Sequence, residues 1–243
     1  MSGFPKSVIF FGAGASRGAG IFMPETPPLG RELFGELRRH FCRSWGNLPN
    51  SLADEFEKEP LFERGMTILW NDYSQYVPEL MQQMCLYFIQ FRSKKPGETL
   101  YDRLLQKISE YQILDQVALS TINYECLIER AATSSGLAIE YFSMPLSKNA
   151  VSLWKLHGSC NFWPSGIRAT RGVTFTRGVV FNTALLAHRD LNDSVTMCLA
   201  DNALPPAMCL YMPGKPSQVS PASIAAIQEL WAQSVCNAEK EQV

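Results

Sequence analysis

Residues 8–20, VIFFGAGASRGAG, constrain the fold more than any other stretch of the chain. An apolar run, SVIFF at 7–11, ends directly in a segment holding Gly12, Gly14, Gly18 and Gly20. Apolar residues without polar alternation suit a strand buried on both faces of a parallel sheet. Glycine weakens a fold unless the backbone must bend sharply or be approached closely. The usual visitor to such a loop is a phosphate held by backbone N–H groups. Neither common phosphate motif fits. No lysine follows the glycines as in GxxxxGK[ST], and GxGxxG would need glycine where Arg17 stands. A plain tight turn between strand and helix is the alternative reading.

The rest of the chain continues this start as an α/β pattern. TPPLGRELFGELRRHF (26–41) opens on Thr26 as a helix-start signal, with Pro27 and Pro28 behind it and Leu29, Leu33, Leu37 and Phe41 at helical spacing. Helical character then runs to about residue 111, with breaks expected at Pro60, Gly65 and Pro78. Further strands are expected at 116–123 (QVALSTIN), 138–142 (AIEYF), 152–159 (SLWKLHGS) and 206–215 (PAMCLYMPGK), with a hairpin at 172–182 (GVTFTRGVVFN). Residues 124–136 and 220–241 read as helices. The expected fold class is α/β: a Rossmann-like open parallel sheet with a helical insertion, 32–111, between its first and second strands. Residues 1–243 then form a single domain, with 7–11, 116–122, 152–156 and 208–212 as parallel neighbours in one sheet.

Bulk properties narrow the partners. A composition 46% hydrophobic and 19% charged, with net charge −1, is that of an ordinary soluble globular protein. It offers no general attraction to nucleic acid or to acidic membrane surfaces. The opening lacks a signal-peptide pattern, and no apolar stretch approaches the roughly 20 residues a membrane span needs. The seven cysteines are scattered with no CxxC pair, so no metal site is expected. They read as reduced thiols of a cytoplasmic protein, mostly filling its core.

In an open parallel sheet, ligands sit where loops leave the carboxyl ends of the strands. Three polar loops follow apolar strands here: Gly12–Gly20, Thr121–Glu125 and His157–Ser159. Asn123 stands where a buried strand should end; its structural alternative is a turn asparagine capping the next helix. Of the three histidines, His157 alone lies between an apolar strand and a glycine, a structural histidine being the alternative. His40 and His188 receive no role.

Taken together, GAGAS (12–16), TINYE (121–125) and KLHGS (155–159) resemble, in order and over most of the chain, the motifs of the sirtuin superfamily. The likeness is closer to its sirtuin-like, NAD-hydrolysing branch among bacterial anti-phage defence proteins. This resemblance implies NAD+ as substrate, with the backbone of Gly12, Ala13, Gly14, Ala15 and Ser16 receiving the pyrophosphate. It further implies that Thr121, Asn123, Glu125, Gly158 and Ser159 bind the cofactor. Asn123 would hold the nicotinamide ribose and position the attacking water, and His157 would act as general base. The bond broken is the glycosidic bond to nicotinamide, through a transition state resembling an oxocarbenium ion. An imidazole, with an ordinary pKa of about 6.5, suits base work at cellular pH.

The activity so implied is an NAD+ glycohydrolase releasing nicotinamide and ADP-ribose, the effector of an abortive-infection system. Its implied partners are further copies of itself and a sensor or activator protein. Three departures qualify the likeness. The two zinc-binding CxxC pairs and the PDFR segment of the deacylases are absent, which argues against acyl-lysine substrates. Glu125 replaces the usual aspartate. Family members continue after the last helix into another strand ending in a G-x-S turn, whereas this chain ends at CNAEKEQV. It is therefore expected to be either a piece of a longer polypeptide or a short form with an incomplete cofactor site. Two other readings stay open: a catalytically weak NAD- or ADP-ribose-binding assembly module, and a zinc-free NAD-dependent deacylase or ADP-ribosyltransferase. The Met- and Tyr-rich stretch 61–91 reads as the core of the insertion or as an oligomer face.

Overall fold

Continuous apolar runs become the strands of one all-parallel sheet in a mixed α/β, Rossmann-like fold. The structure, a computed structural model, describes residues 4–58, 62–144, 147–173 and 179–240, the stretch 238–240 by its backbone alone. In chain order the elements are β1 (Ser7–Phe11), α1 (Ala13–Gly18), β2 (Phe22–Met23), α2 (Gly30–His40), α3 (Asn50–Lys58), α4 (Phe62–Asp72), α5 (Val77–Ile89), β3 (Arg92–Ser93) and α6 (Leu100–Glu110). There follow β4 (Val117–Thr121), α7 (Leu127–Ser134), β5 (Ala138–Glu140), β6 (Ala150–Lys155), β7 (Phe162–Pro164), β8 (Leu185–Ala187), α8 (Leu191–Leu199) and α9 (Pro221–Lys240). Two compact units result: one of residues up to Pro27, Phe91–His157 and Ile224 onward, the other of Pro28–Gln90 and Gly158–Ser223.

The first unit carries the sheet, in the order β1-β4-β6-β5. Its central strands β4 and β6 are buried at every position, whereas β1, expected to be buried on both faces, lies on the edge of the sheet with no fully buried residue and Phe10 51% exposed. The register aligns Phe11 with Thr121 and Thr121 with Lys155, so three strands end level. Successive side chains of a strand point to opposite faces. Phe11 accordingly meets Tyr101 of α6 edge-on at 5.5 Å, and Phe10 lies 6.5 Å from Trp231 of α9. A reciprocal cap starts α6: Asp102 N–H donates to Thr99 Oγ1 at 3.1 Å and Thr99 N–H to Asp102 Oδ2 at 2.9 Å. Ser134 of α7 donates to Asp102 Oδ1 at 2.6 Å and ties the two helices together.

The second unit is built on an aromatic cluster from α2, α3 and α4. Phe34 stacks on Phe56 at 4.5 Å, and the buried Trp45 meets both rings edge-on. Gln82 of α5 donates to the carbonyls of Asn202 and Leu204, both at 2.8 Å.

Several expectations need correction. Residues 208–212 are not a sheet strand: Met208 forms one isolated antiparallel bridge to Gly158, in the second unit. Pro205 and Pro206 withhold donors from a ladder, and the backbone turns instead, with Met212 N–H bonded to Leu210 O and Leu210 N–H to Pro216 O, both at 2.8 Å. The fourth strand is β5, on the edge beside β6. Gly65 and Pro78 do not break helices. Gly65 sits inside α4, where a Cβ would run into the Phe56 ring, and Pro78 occupies the first turn of α5, where its missing N–H costs nothing. Helix α2 starts at Gly30 rather than after Thr26, with Leu29 N–H bonded to Glu32 Oε2 at 3.0 Å. The 32–111 stretch is interrupted by β3, which pairs antiparallel with β2. The centre of the 172–182 hairpin (174–178) and Pro60 lie outside the described residues.

Candidate functional site

The level strand ends of β1, β4 and β6 decide where the three motif loops begin. Past the last paired residues the ladder runs one step further, with Ile122 N–H bonded to Phe11 O at 3.4 Å and Leu156 N–H to Thr121 O at 2.9 Å. The loops starting at Gly12, Ile122 and Leu156 therefore leave the same carboxyl edge of the sheet on neighbouring strands. Asn123 and His157 each lie two residues beyond the register partners Thr121 and Lys155.

Ser16, on α1, is 1% exposed and is the hub of a polar network. Its Oγ donates to Glu125 Oε1 at 2.6 Å and accepts from Asn123 Nδ2 at 2.9 Å. A serine hydroxyl has one proton and two lone pairs. With the proton committed to Glu125, the 2.9 Å bond to Tyr101 must be donated by the phenol. Burial, reinforced by the Glu125 carboxylate, pushes the Tyr101 phenol far above its ordinary pKa, so it stays a donor.

Glu125 joins the elements. One carboxylate oxygen takes Ser16 and, at 3.3 Å, Asn123; the other accepts Leu127 N–H at 2.6 Å in the first turn of α7. The helix is thus capped by Glu125 rather than by Asn123, whose side chain turns to Ser16 instead. Thr121 Oγ1 accepts Asn123 N–H at 3.0 Å and donates to Phe11 O at 3.2 Å, joining the ends of β1 and β4.

Three residues of this cluster received no role from the sequence: Tyr101, Glu129 and Lys155, the last read only as the opening residue of the KLHGS motif. Lys155 is 1% exposed at the end of β6; its Nζ donates to Glu125 O at 2.5 Å and pairs with Glu129 Oε1 at 3.2 Å. Burial pushes the Glu129 carboxyl above its ordinary pKa, the Lys155 ammonium pulling it back and the Glu125 charge pushing further up. A signal was available: a lysine closing an apolar strand, and a glutamate four residues past Glu125, imply a buried charge with its partner.

The remaining motif residues fall as follows. Gly12 has extended backbone (φ −116°), and a Cβ on Gly12 or Gly14 would meet nothing within 4 Å. Ala13 and Ala15 are half-buried on α1. His157 is half-buried, next to Leu156, whose carbonyl accepts Gln228 Nε2 of α9 at 2.7 Å. Gly158 and Ser159 open the second unit. There Gly158 takes a left-handed φ of +73° against the Ala207 carbonyl, to which Ser159 N–H donates at 3.2 Å. The internal packing of that unit already explains this glycine. Cysteines 85, 126, 160, 198 and 209 are buried thiols, while Cys42 and Cys236 are exposed. Among the described residues no helix is long and apolar enough to cross a membrane.

No protein-family model matches the chain, and no curated protein is significantly similar to it.

Proposed function

We propose that the chain hydrolyses NAD+ to nicotinamide and ADP-ribose at the carboxyl edge of β1, β4 and β6. The observation that supports this reading is that the loops bearing Gly12–Ser16, Asn123 and His157 leave three adjacent parallel strands at the same edge of the sheet. Gly12 and Gly14 supply a backbone with no internal neighbour where their Cβ atoms would be, open to a pyrophosphate. In this mechanism Asn123 orients the nicotinamide ribose and the water, and His157 takes the proton as the water adds to the ribose carbon. The glycosidic electron pair leaves with nicotinamide, and ADP-ribose results. Following the resemblance to sirtuin-like defence proteins, the enzyme works in the cytoplasm as a homo-oligomer restrained by a sensor or activator subunit.

One observation favours a second reading, a module that binds NAD+ or ADP-ribose without turnover. Asn123 is only 9% exposed, and its amide is already satisfied by Ser16 and Glu125. Incubating the protein with NAD+, with and without an acyl-lysine peptide, separates the readings. Nicotinamide and ADP-ribose without peptide support the hydrolase, and affinity without release supports the module. Release only with peptide makes it a deacylase.

A further inference from the structure

We propose that Lys155 is a positioning residue that clamps the Asn123–Glu125 loop in the conformation the reaction uses, an inference that rests on the NAD+ reading above. Every residue of β6 is buried, and five of the six in AVSLWK carry no charge; the lysine is the exception. Withdrawing an ammonium from water is costly even when it is paired, and replacing a buried ion pair by apolar residues is often neutral or stabilising. Stability alone therefore does not account for a charge at this position.

What the ammonium holds does account for it. Besides Glu129, Nζ binds the carbonyl of Glu125 at 2.5 Å. That residue's carboxylate spans Ser16 and Asn123 on one oxygen and the first turn of α7 on the other. Fixing the carbonyl fixes the carboxylate, and the carboxylate aims the Asn123 amide. Lys155 acts through two intervening contacts, and its burial leaves it no surface to offer a substrate.

The test compares the wild type with Lys155→Met and with Lys155→Met/Glu129→Leu. It measures kcat and KM for NAD+, melting temperature, and amide exchange at Leu127 and Arg103. Lys155→Met strands the Glu129 carboxylate and is expected to lower the melting temperature. Its kcat should fall by about 10–100-fold, the scale of a small misplacement of reacting groups, with KM changed less than about threefold. The double variant removes both members of the Lys155–Glu129 pair, so it should regain stability while kcat stays low. Its Leu127 amide, which donates to Glu125, should exchange faster, while that of Arg103, bonded to Thr99 O at 3.1 Å, stays as in the wild type. Recovery of kcat together with stability would reduce Lys155 to a structural residue, as would an unchanged Leu127 amide. Should Lys155→Met not fold, the double variant carries both readouts. If the wild type releases no nicotinamide, the NAD+ reading fails by itself, and Leu127 exchange still decides whether Lys155 clamps the loop.

Discussion

Ser16→Ala perturbs the candidate site where its hydrogen bonds are densest. The hydroxyl gives its proton to Glu125 and takes protons from Asn123 and Tyr101, so all its bonding capacity is used. Alanine removes a bond to a carboxylate, a class worth about 1.5–3 kcal/mol. It also strands the phenol of Tyr101, which is 4% exposed; an unsatisfied buried donor costs about 1–3 kcal/mol. Asn123 loses least, since its amide keeps Glu125 at 3.3 Å. The losses at Glu125 and Tyr101 overlap, because Glu125 can relax toward Asn123, and together they come to about 3 kcal/mol. A protein of this size loses about 2–4 °C per kcal/mol, which gives a fall of about 6–12 °C in melting temperature. Thermal and urea unfolding monitored by circular dichroism read this directly, the urea slope staying unchanged. Tyr101→Phe in the same background removes the stranded hydroxyl, so the double variant should be more stable than the sum of the singles by about 1–2 kcal/mol. A Ser16→Ala melting point within about 1 °C of wild type, or a cycle with no coupling, refutes the network.

Three further outcomes are expected. Gly14→Leu should fold with unchanged or slightly greater stability, since nothing lies within 4 Å of the new Cβ and the position is helical, yet lose at least about tenfold in NAD+ affinity by calorimetry. His157→Ala should release nicotinamide about 10²–10⁴-fold more slowly with near-normal NAD+ affinity, and full activity in a folded variant rejects the general-base role. Burial raises the Glu129 carboxyl despite Lys155, so the native state keeps that proton to higher pH than the unfolded chain, and this contribution to stability is lost as pH rises from about 4.3 through the native value. Urea midpoints of wild type minus Glu129→Gln should therefore decline with rising pH, and a pH-independent difference counts against the buried carboxyl.

Much of the architecture was readable because the central strands β4 and β6 are buried at every position and the edge strand β1, though half-exposed, is apolar along most of its length. β1, β4 and β6 announce themselves as apolar runs, and α9 by its long amphipathic pattern. The error at 208–212 has the same origin. Met208, Cys209, Leu210 and Met212 are all buried, and apolar runs report burial, whereas strand pairing depends on which backbone groups are free to bond. The edge strand β5 is only three residues long, too short to reveal its place beside β6. At the site, motif order placed Ser16, Thr121, Asn123 and Glu125 together. Tyr101 was invisible because its bond to Ser16 spans 85 residues, and no local pattern encodes such a contact.

The glycines show how sequence and structure divide the work of finding a ligand site. In the sequence, Gly12, Gly14, Gly65 and Gly158 look alike, each a residue that local structure would rather not contain. The structure separates them by cause. Gly158 has a left-handed φ with the Ala207 carbonyl where a side chain would stand, and Gly65 makes room for the Phe56 ring. The fold itself demands both. Gly12 and Gly14 have neither a left-handed backbone nor an internal neighbour within 4 Å of a built Cβ, and alanine at Gly14 would improve α1. Gly18 and Gly35 carry the same signature, so an occupant outside the fold explains such a glycine only where a second feature supports it. At Gly12 and Gly14 that explanation coincides with the edge where Asn123 and His157 emerge. The paired prediction at Gly14, stability kept and affinity lost, is therefore the sharpest separation of a ligand-driven glycine from a structural one.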